Sequence, residues 1–204
     1  MRPQLTLEDF MRRTAVERRG REPQKYAHIS RISDEVFRQP GKQKNSRVNW
    51  GRNIMLFDEE MMLKALELAK KAYDMGECPV GAIVVNKDGE VIGQGYNRRE
   101  TDNSPTAHAE IIAIEEAARA LKSWRLSECT IYVTLEPCPM CAGAIINSRL
   151  KRVVYGAFDE KGGACSSVVN LFELPFNHTP LVRSRVLQKE CGEILTDFFE
   201  KLRK

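Results

Sequence analysis

The 204-residue sequence has no apolar stretch of transmembrane length and no run that reads as the hydrophobic region of a secretion signal. A membrane-spanning or exported protein is not expected from it. It has no internal repeat. Histidine is scarce, and two of the three, His28 and His178, lack any ligand-spaced partner and are expected to bind no metal. The six cysteines do not form the even, regular spacing of a disulfide framework, and two of them sit in a ligand-like pair. A reducing, cytoplasmic setting is the expectation.

A large excess of one charge is also missing. The net charge is +4, but residues 1–55 carry +7 and the remainder −3. A body that is not globally basic can meet nucleic acid only through local patches, or through charge lent by the first 55 residues. That first segment lacks sustained periodicity and holds Arg-rich runs with Gln, Pro and Gly. Residues 1–54 are expected to be a basic, flexible extension, with short helices possible at 5–13 and 32–37. An inert tail, an upstream start with Met55 the working one, and a basic arm on RNA all remain open. Six acidic residues in the segment argue against an organelle transit peptide. Residues 55–204 form the expected folded domain, large enough to fold without staples.

Within that domain the acids at 58–60 signal a helix start, and an apolar face then runs from Met62 to Tyr73. Gly76 and Pro79 end the helix. Strands are expected at 80–85 and 91–96 around a hairpin turn at 86–89. A polar loop leads into a helix from His108 to about 122. A strand at 130–135, a helix at 140–148, a strand at 152–156, a loop at 157–167, a weaker strand at 181–186 and a helix at 189–202 complete the order. This predicts an α/β fold of three layers, one mixed five-stranded sheet with helices on both faces.

The chemistry gathers at two places. One is the run T-L-E-P-C-P-M-C-A-G at 134–143, where a strand ends and a helix begins. Cys138 and Cys141, three residues apart, share one face of the first helical turn, where partial positive charge favours thiolate. The other is P-T-A-H-A-E at 105–110, which places His108 and Glu110 at a helix entrance. Two thiols and one imidazole are three zinc ligands, one short of a closed structural site. Alone, C-x-x-C also fits a redox pair or buried cysteines, and Glu110 alone also fits an acid stabilising the helix dipole. Positions i and i+2 on a helix point about 200° apart, so His108 and Glu110 can converge only near the helix end.

H-x-E followed by P-C-x-x-C is the signature of zinc-dependent nucleobase deaminases. G-Y-N-R at 95–98, T-A-H-A-E-I-I at 106–112, W-R-L at 124–126, the run 130–148, A-F-D-E-K-G-G-A at 157–164 and Phe198-Phe199 together resemble the bacterial tRNA-specific adenosine deaminases of the cytidine deaminase superfamily. The resemblance covers roughly residues 56–203. It departs at 163–167, which reads G-A-C-S-S where that family usually reads G-A-x-G-S, so Ser166 replaces a loop glycine.

The resemblance implies hydrolytic deamination of the wobble adenosine of a tRNA anticodon to inosine. It implies one zinc ion per subunit on His108, Cys138 and Cys141, with Glu110 moving protons from water to the ring nitrogen and the leaving amine. It implies substrate contacts at Asn97, Ala109, Pro137, Asp159, Arg149, Phe198 and Phe199, a homodimer, and the tRNA anticodon arm as partner. Asn97 fits a turn residue equally well, and the Phe pair fits helix packing. Arg98, Arg99, Arg149, Lys151 and Arg152 are expected to flank the site as phosphate contacts. Trp124 is expected to pack under its helix-to-strand turn, and Cys78, Cys129, Cys165 and Cys191 to be buried or half-buried thiols. Deamination of a free base or nucleotide, a zinc-stabilised RNA-binding module and a redox protein are the rival readings.

Overall fold

The computed structural model of the protein describes residues 50–203. The extension up to residue 49, with its two short expected helices and His28, lies outside the described residues. The first helix among the described residues, α1, spans Trp50–Asp74 and so begins about two turns before the expected start at Asp58. The proposed boundary at residue 54 falls inside it. The acids at 58–60 mimic a first-turn signal, but Asp58 does not cap the helix. Its buried carboxylate accepts from Tyr132 Oη at 2.8 Å, from Arg152 Nη1 and Nη2 at 2.8 and 2.6 Å, and from Arg183 Nη1. Burial pushes its pKa up, and the bonds from Arg152 and Tyr132 outweigh that and hold it below the usual carboxylate range.

The hairpin β1 (Gly81–Val85) to β2 (Val91–Tyr96) turns where the sequence places it. Asn86 Oδ1 accepts from the backbone N–H of Asp88 and Glu90, each at 2.9 Å, and Gly89 takes a left-handed φ of 85°. Then follow α2 (Ala109–Leu121), β3 (Thr130–Leu135), α3 (Pro139–Asn147), β4 (Arg152–Ala157), a 3₁₀ turn at Leu171–Glu173, β5 (Leu181–Arg183) and α4 (Gln188–Leu202). The five strands form one mixed sheet in the order β2-β1-β3-β4-β5. β1 pairs antiparallel with β2 and β3, while β3, β4 and β5 run parallel. Helices α1 and α4 pack on one face, α2 and α3 on the other. Strands covered on both faces read as near-continuous apolar runs, and Ile131, Tyr132, Val133, Val153, Val154 and Tyr155 are all buried. Among the described residues no helix is long and apolar enough to cross a membrane.

These strand directions gather the chemistry at one edge. The starts of β1 and α2 and the ends of β2, β3 and β4 all lie there. The opposite edge holds the β1–β2 turn, the α2–β3 loop and the α3–β4 loop. The seating of α2 on β2 depends on glycine: a Cβ on Gly95 would stand 2.1 Å from the backbone oxygen of Ala109. Gly95→Ala should therefore lift the first turn of α2 and cost about 1–3 kcal/mol, the range for overpacking. Thermal unfolding against the parent protein measures this, and an unchanged midpoint would show that the helix is not held there.

Candidate active site

The site is built on two helix entrances. His108 is the residue before α2, with extended backbone (φ −82°, ψ 151°), and Cys138 occupies the same position before α3 (φ −72°, ψ 171°). Pro139 opens α3, where its missing N–H costs nothing. Cys141 follows in the first turn, fully buried. His108 Nδ1 lies 3.8 Å from Cys138 Sγ and 3.6 Å from Cys141 Sγ. The three donor atoms all lie within 4.8 Å of one another. A tetrahedral ion with bonds of ~2.3 Å to sulfur and ~2.05 Å to nitrogen would separate sulfur from nitrogen by about 3.6 Å. The spacing and the donor set both fit a metal ion.

The hydrogen bond from the Cys141 thiol, with His108 adding to it, holds Cys138 well below the ordinary thiol range. The same bond, together with burial, pushes Cys141 far up. Glu110 lies in the first turn of α2, 4 % exposed, and its carboxyl interacts with His108, Cys138 and Cys141. Because His108 precedes the helix with extended backbone, the 200° offset within a helix does not separate the two side chains. Burial raises the Glu110 pKa above the usual carboxylate range, and its Oε2 is buried with no hydrogen-bond partner among the described residues. A buried carboxyl with one free oxygen, beside His108, Cys138 and Cys141, is suited to taking and giving protons.

The comparisons with known proteins agree with this geometry. A family model described as MafB19-like deaminase matches residues 57–203. The chain is 52 % identical over 151 residues to a tRNA-specific adenosine deaminase of Bacillus subtilis (strain 168), covering 74 % of this chain and 93 % of that protein. It is 51 % identical over 148 residues to the protein of the same name from Haemophilus influenzae, covering 72 % and 86 %. The chain belongs to the tRNA-specific adenosine deaminase family. A solved structure from a study of A-to-I editing by tRNA:A34 deaminases at the wobble position superposes with a TM-score of 0.64 at 46 % identity, covering 66 % of this chain and 98 % of that one. A guanine deaminase from Nitrosomonas europaea, at 22 % identity and a TM-score of 0.58, shares the fold.

A groove of about 840 Å³ is lined among others by Cys78, Leu135, Phe158, Asp159, Phe199 and Arg203, and His108, Glu110, Cys138 and Cys141 are not among its lining residues. Burial, with the charges of Asp159, Glu77 and Glu110 adding to it, pushes the Cys78 thiol up to about 11. Asn97, at the end of β2, is buried and accepts from the backbone N–H of Ala109 through Oδ1 at 2.9 Å. That bond fixes its amide orientation. Pro137 and Ala109 flank the triad in sequence and are buried. Asp159 accepts from the N–H of Lys161 and Gly162 through Oδ1, each at 3.0 Å, which shapes its turn.

Other expected contacts lie elsewhere. Phe198 is 8 % exposed and packs edge-on against Tyr73, so of the aromatic pair only Phe199, 44 % exposed, can meet a ligand. Arg149 follows α3 at its end remote from Cys138, some ~14 Å along the helix. Its Nη1 donates to Ile146 O and Asn177 Oδ1. Lys151 and Arg152 share that remote edge, where Lys151 pairs with Glu128 and Arg152 with Asp58. Adjacency in sequence to the C-x-x-C helix placed these residues near the site, but a helix carries its two ends apart. Trp124 does not pack under its turn: it is 55 % exposed at the same edge, with the Arg125 guanidinium 4.2 Å over its ring. His178 bonds Leu150 O through Nε2 at 2.7 Å.

Two buried carboxylates have no counterpart among the expected site residues. Glu77 accepts from the N–H of Thr101 at 2.6 Å and of Glu100 at 3.3 Å, pinning the loop before His108. Glu136 accepts from Asp159, Cys165, Ser166 and Ser167 N–H groups. The signal for both is an acid at a strand boundary in an apolar, proline-bearing context, where burial demands donors that only a loop supplies. Ser166, in place of the usual loop glycine, does not adopt a left-handed φ, and its Oγ lies 2.8 Å from Tyr155 Oη. The loop accepts the serine without backbone strain.

Proposed function

We propose that the chain hydrolyses the wobble adenosine of a tRNA anticodon to inosine and ammonia, with zinc held by His108, Cys138 and Cys141. The observation that carries this reading is one imidazole nitrogen and two thiol sulfurs at tetrahedral spacing, beside a buried carboxyl with a free oxygen. A zinc ion bound there would supply a water activated as a nucleophile near neutral pH. Glu110 takes one proton from the water and gives it to the ring nitrogen, then takes the proton of the hydroxyl added at carbon 6 and gives it to the amine, which leaves as ammonia. Its burial suits both directions, because a raised pKa lets one carboxyl act as base and acid.

Asn97 supports base recognition through the half of its amide that the fold does not use. Oδ1 is committed to Ala109, so Nδ2 is the donor offered to an acceptor on the purine. Ala109 and Pro137 form the walls beside the flipped base. The groove takes the flanking nucleotides, with Phe199 stacking and Arg203 and Lys161 meeting phosphates. Phe198 supports that surface from behind. A homodimer fits the exposed apolar side chains of Val168, Val169, Leu174, Phe176, Leu181 and Val182, which a second copy could bury. A tRNA substrate accords with a cytoplasmic location.

The test is incubation of the purified protein with tRNA transcripts, followed by sequencing for adenosine-to-inosine conversion and metal analysis of the same sample. Conversion at the first anticodon position with one zinc per chain is the expected result. Conversion of free guanine or cytosine without any change in tRNA would replace this reading with that of a free-base deaminase.

A further inference from the structure

Glu136 stands at the junction of the triad and the groove. It follows the last residue of β3, two residues before Cys138, and is 2 % exposed. Every described bond of its carboxylate goes to one segment. Oε1 accepts from the N–H of Cys165, Ser166 and Ser167 at 3.0, 2.7 and 2.9 Å. Oε2 accepts from the N–H of Asp159 at 3.2 Å and from Ser167 Oγ. Ser166 Oγ adds a contact to Oε1 at 3.3 Å. Asp159, Glu160, Lys161 and Ser167 of that segment line the groove. Gly163 lets the carboxylate in, since a Cβ there would stand 2.5 Å from Glu136 Cδ and Oε2. A backbone loop folded around one carboxylate has its position set by that carboxylate, because buried N–H groups cannot shift without losing their acceptor.

We infer that Glu136 is a positioning residue which fixes the 159–167 loop, and so one wall of the substrate groove, relative to the Cys138 end of the reacting centre. This rests on the reading that RNA lies along that groove. The inference concerns placement of the substrate rather than the bond-breaking step. Losing the tie should weaken binding that is shared by ground state and transition state, which appears in KM and leaves kcat alone.

The experiment compares the parent protein with Glu136→Gln and Gly163→Ala on an anticodon stem-loop RNA. Glu136→Gln puts an amide N–H among donors at unchanged loop sequence, and Gly163→Ala crowds both the carboxylate and the backbone oxygen of Asp159, which a Cβ would approach to 2.6 Å, while keeping the charge. Each should raise KM by about tenfold or more, hold kcat within about threefold and retain zinc. Trypsin cleavage after Lys161, referred to cleavage after Lys87 in the β1–β2 turn, should rise by about fivefold in both variants, since cleavage tracks local opening. Unchanged KM in Gly163→Ala would overturn the inference even if cleavage rises. A fall in kcat with loss of zinc would also overturn it, by making Glu136 a support of the metal site alone. If the parent protein leaves the stem-loop unchanged, the functional reading fails, and the cleavage ratio still decides whether Glu136 holds the loop.

Discussion

Glu110→Gln should keep its zinc and its affinity for tRNA while turnover falls by about 10²–10⁴-fold, the range for loss of a positioned general acid–base group. The substitution conserves shape, so the packing of α2 against β2 is unaffected. What changes is the capacity to accept and release a proton. The carboxyl is buried against the thiols and imidazole, and its Oε2 has no other hydrogen-bond partner among the described residues. An amide in that place presents a fixed donor or a weak acceptor and cannot complete the transfer from water to the leaving amine. Single-turnover rates at saturating tRNA isolate this step from binding, with filter binding and metal content measured on the same preparation. A rate near that of the parent protein would remove Glu110 from the chemistry and leave it as a first-turn acid stabilising the helix.

How much of this was legible in the sequence follows from how local each signal is. Strands β1 to β4 and helices α2 and α3 are marked within their own few residues by β-branched runs, Gly and Pro, so their bounds came out within a residue or two. Strand β5 was drawn too long, to 186, because Val182 and Val186 suggest a run. The backbone instead turns out of the sheet after Arg183, with Arg185 and Leu187 at left-handed φ of 68° and 49°. The triad was legible because Cys138 and Cys141 are neighbours on one turn and His108 opens its own helix. Glu136 and Glu77 were not, because their partners lie 23 to 31 residues away in chain order. The division of Phe198 from Phe199 was present in the spacing: Cys191, Ile194 and Phe198 form the buried face of α4, and Phe199 falls off it. The helix start at residue 50 and the remote position of Arg149 needed the tertiary structure, which alone shows where Asp58 points and where α3 ends.

Removal of the metal should abolish activity without unfolding the protein. The three proposed ligands sit on entrances to α2 and α3, and the core behind them is apolar: Val84, Ala113, Ile131, Val133, Ile145 and Val153 are buried there. The expectation therefore differs from that of a zinc finger, whose fold is the binding free energy of its ion. Binding to the folded state alone contributes RT ln(1 + [L]/Kd), about 4 kcal/mol at a thousandfold excess over Kd, so a chelator should lower the melting midpoint while the far-ultraviolet spectrum persists. His108→Ala, Cys138→Ala and Cys141→Ala should each lose the metal and bring activity to background. Their stabilities should separate. Cys141 is fully buried and Cys138 is partly exposed, so Cys141→Ala leaves a small void and should cost about 1 kcal/mol more than Cys138→Ala. Metal analysis, circular dichroism and thermal unfolding of the three variants measure these effects. Stoichiometric zinc in Cys138→Ala would overturn the ligand assignment, and collapse of the far-ultraviolet spectrum on chelation would show that the ion holds the two helix entrances together rather than only serving the reaction.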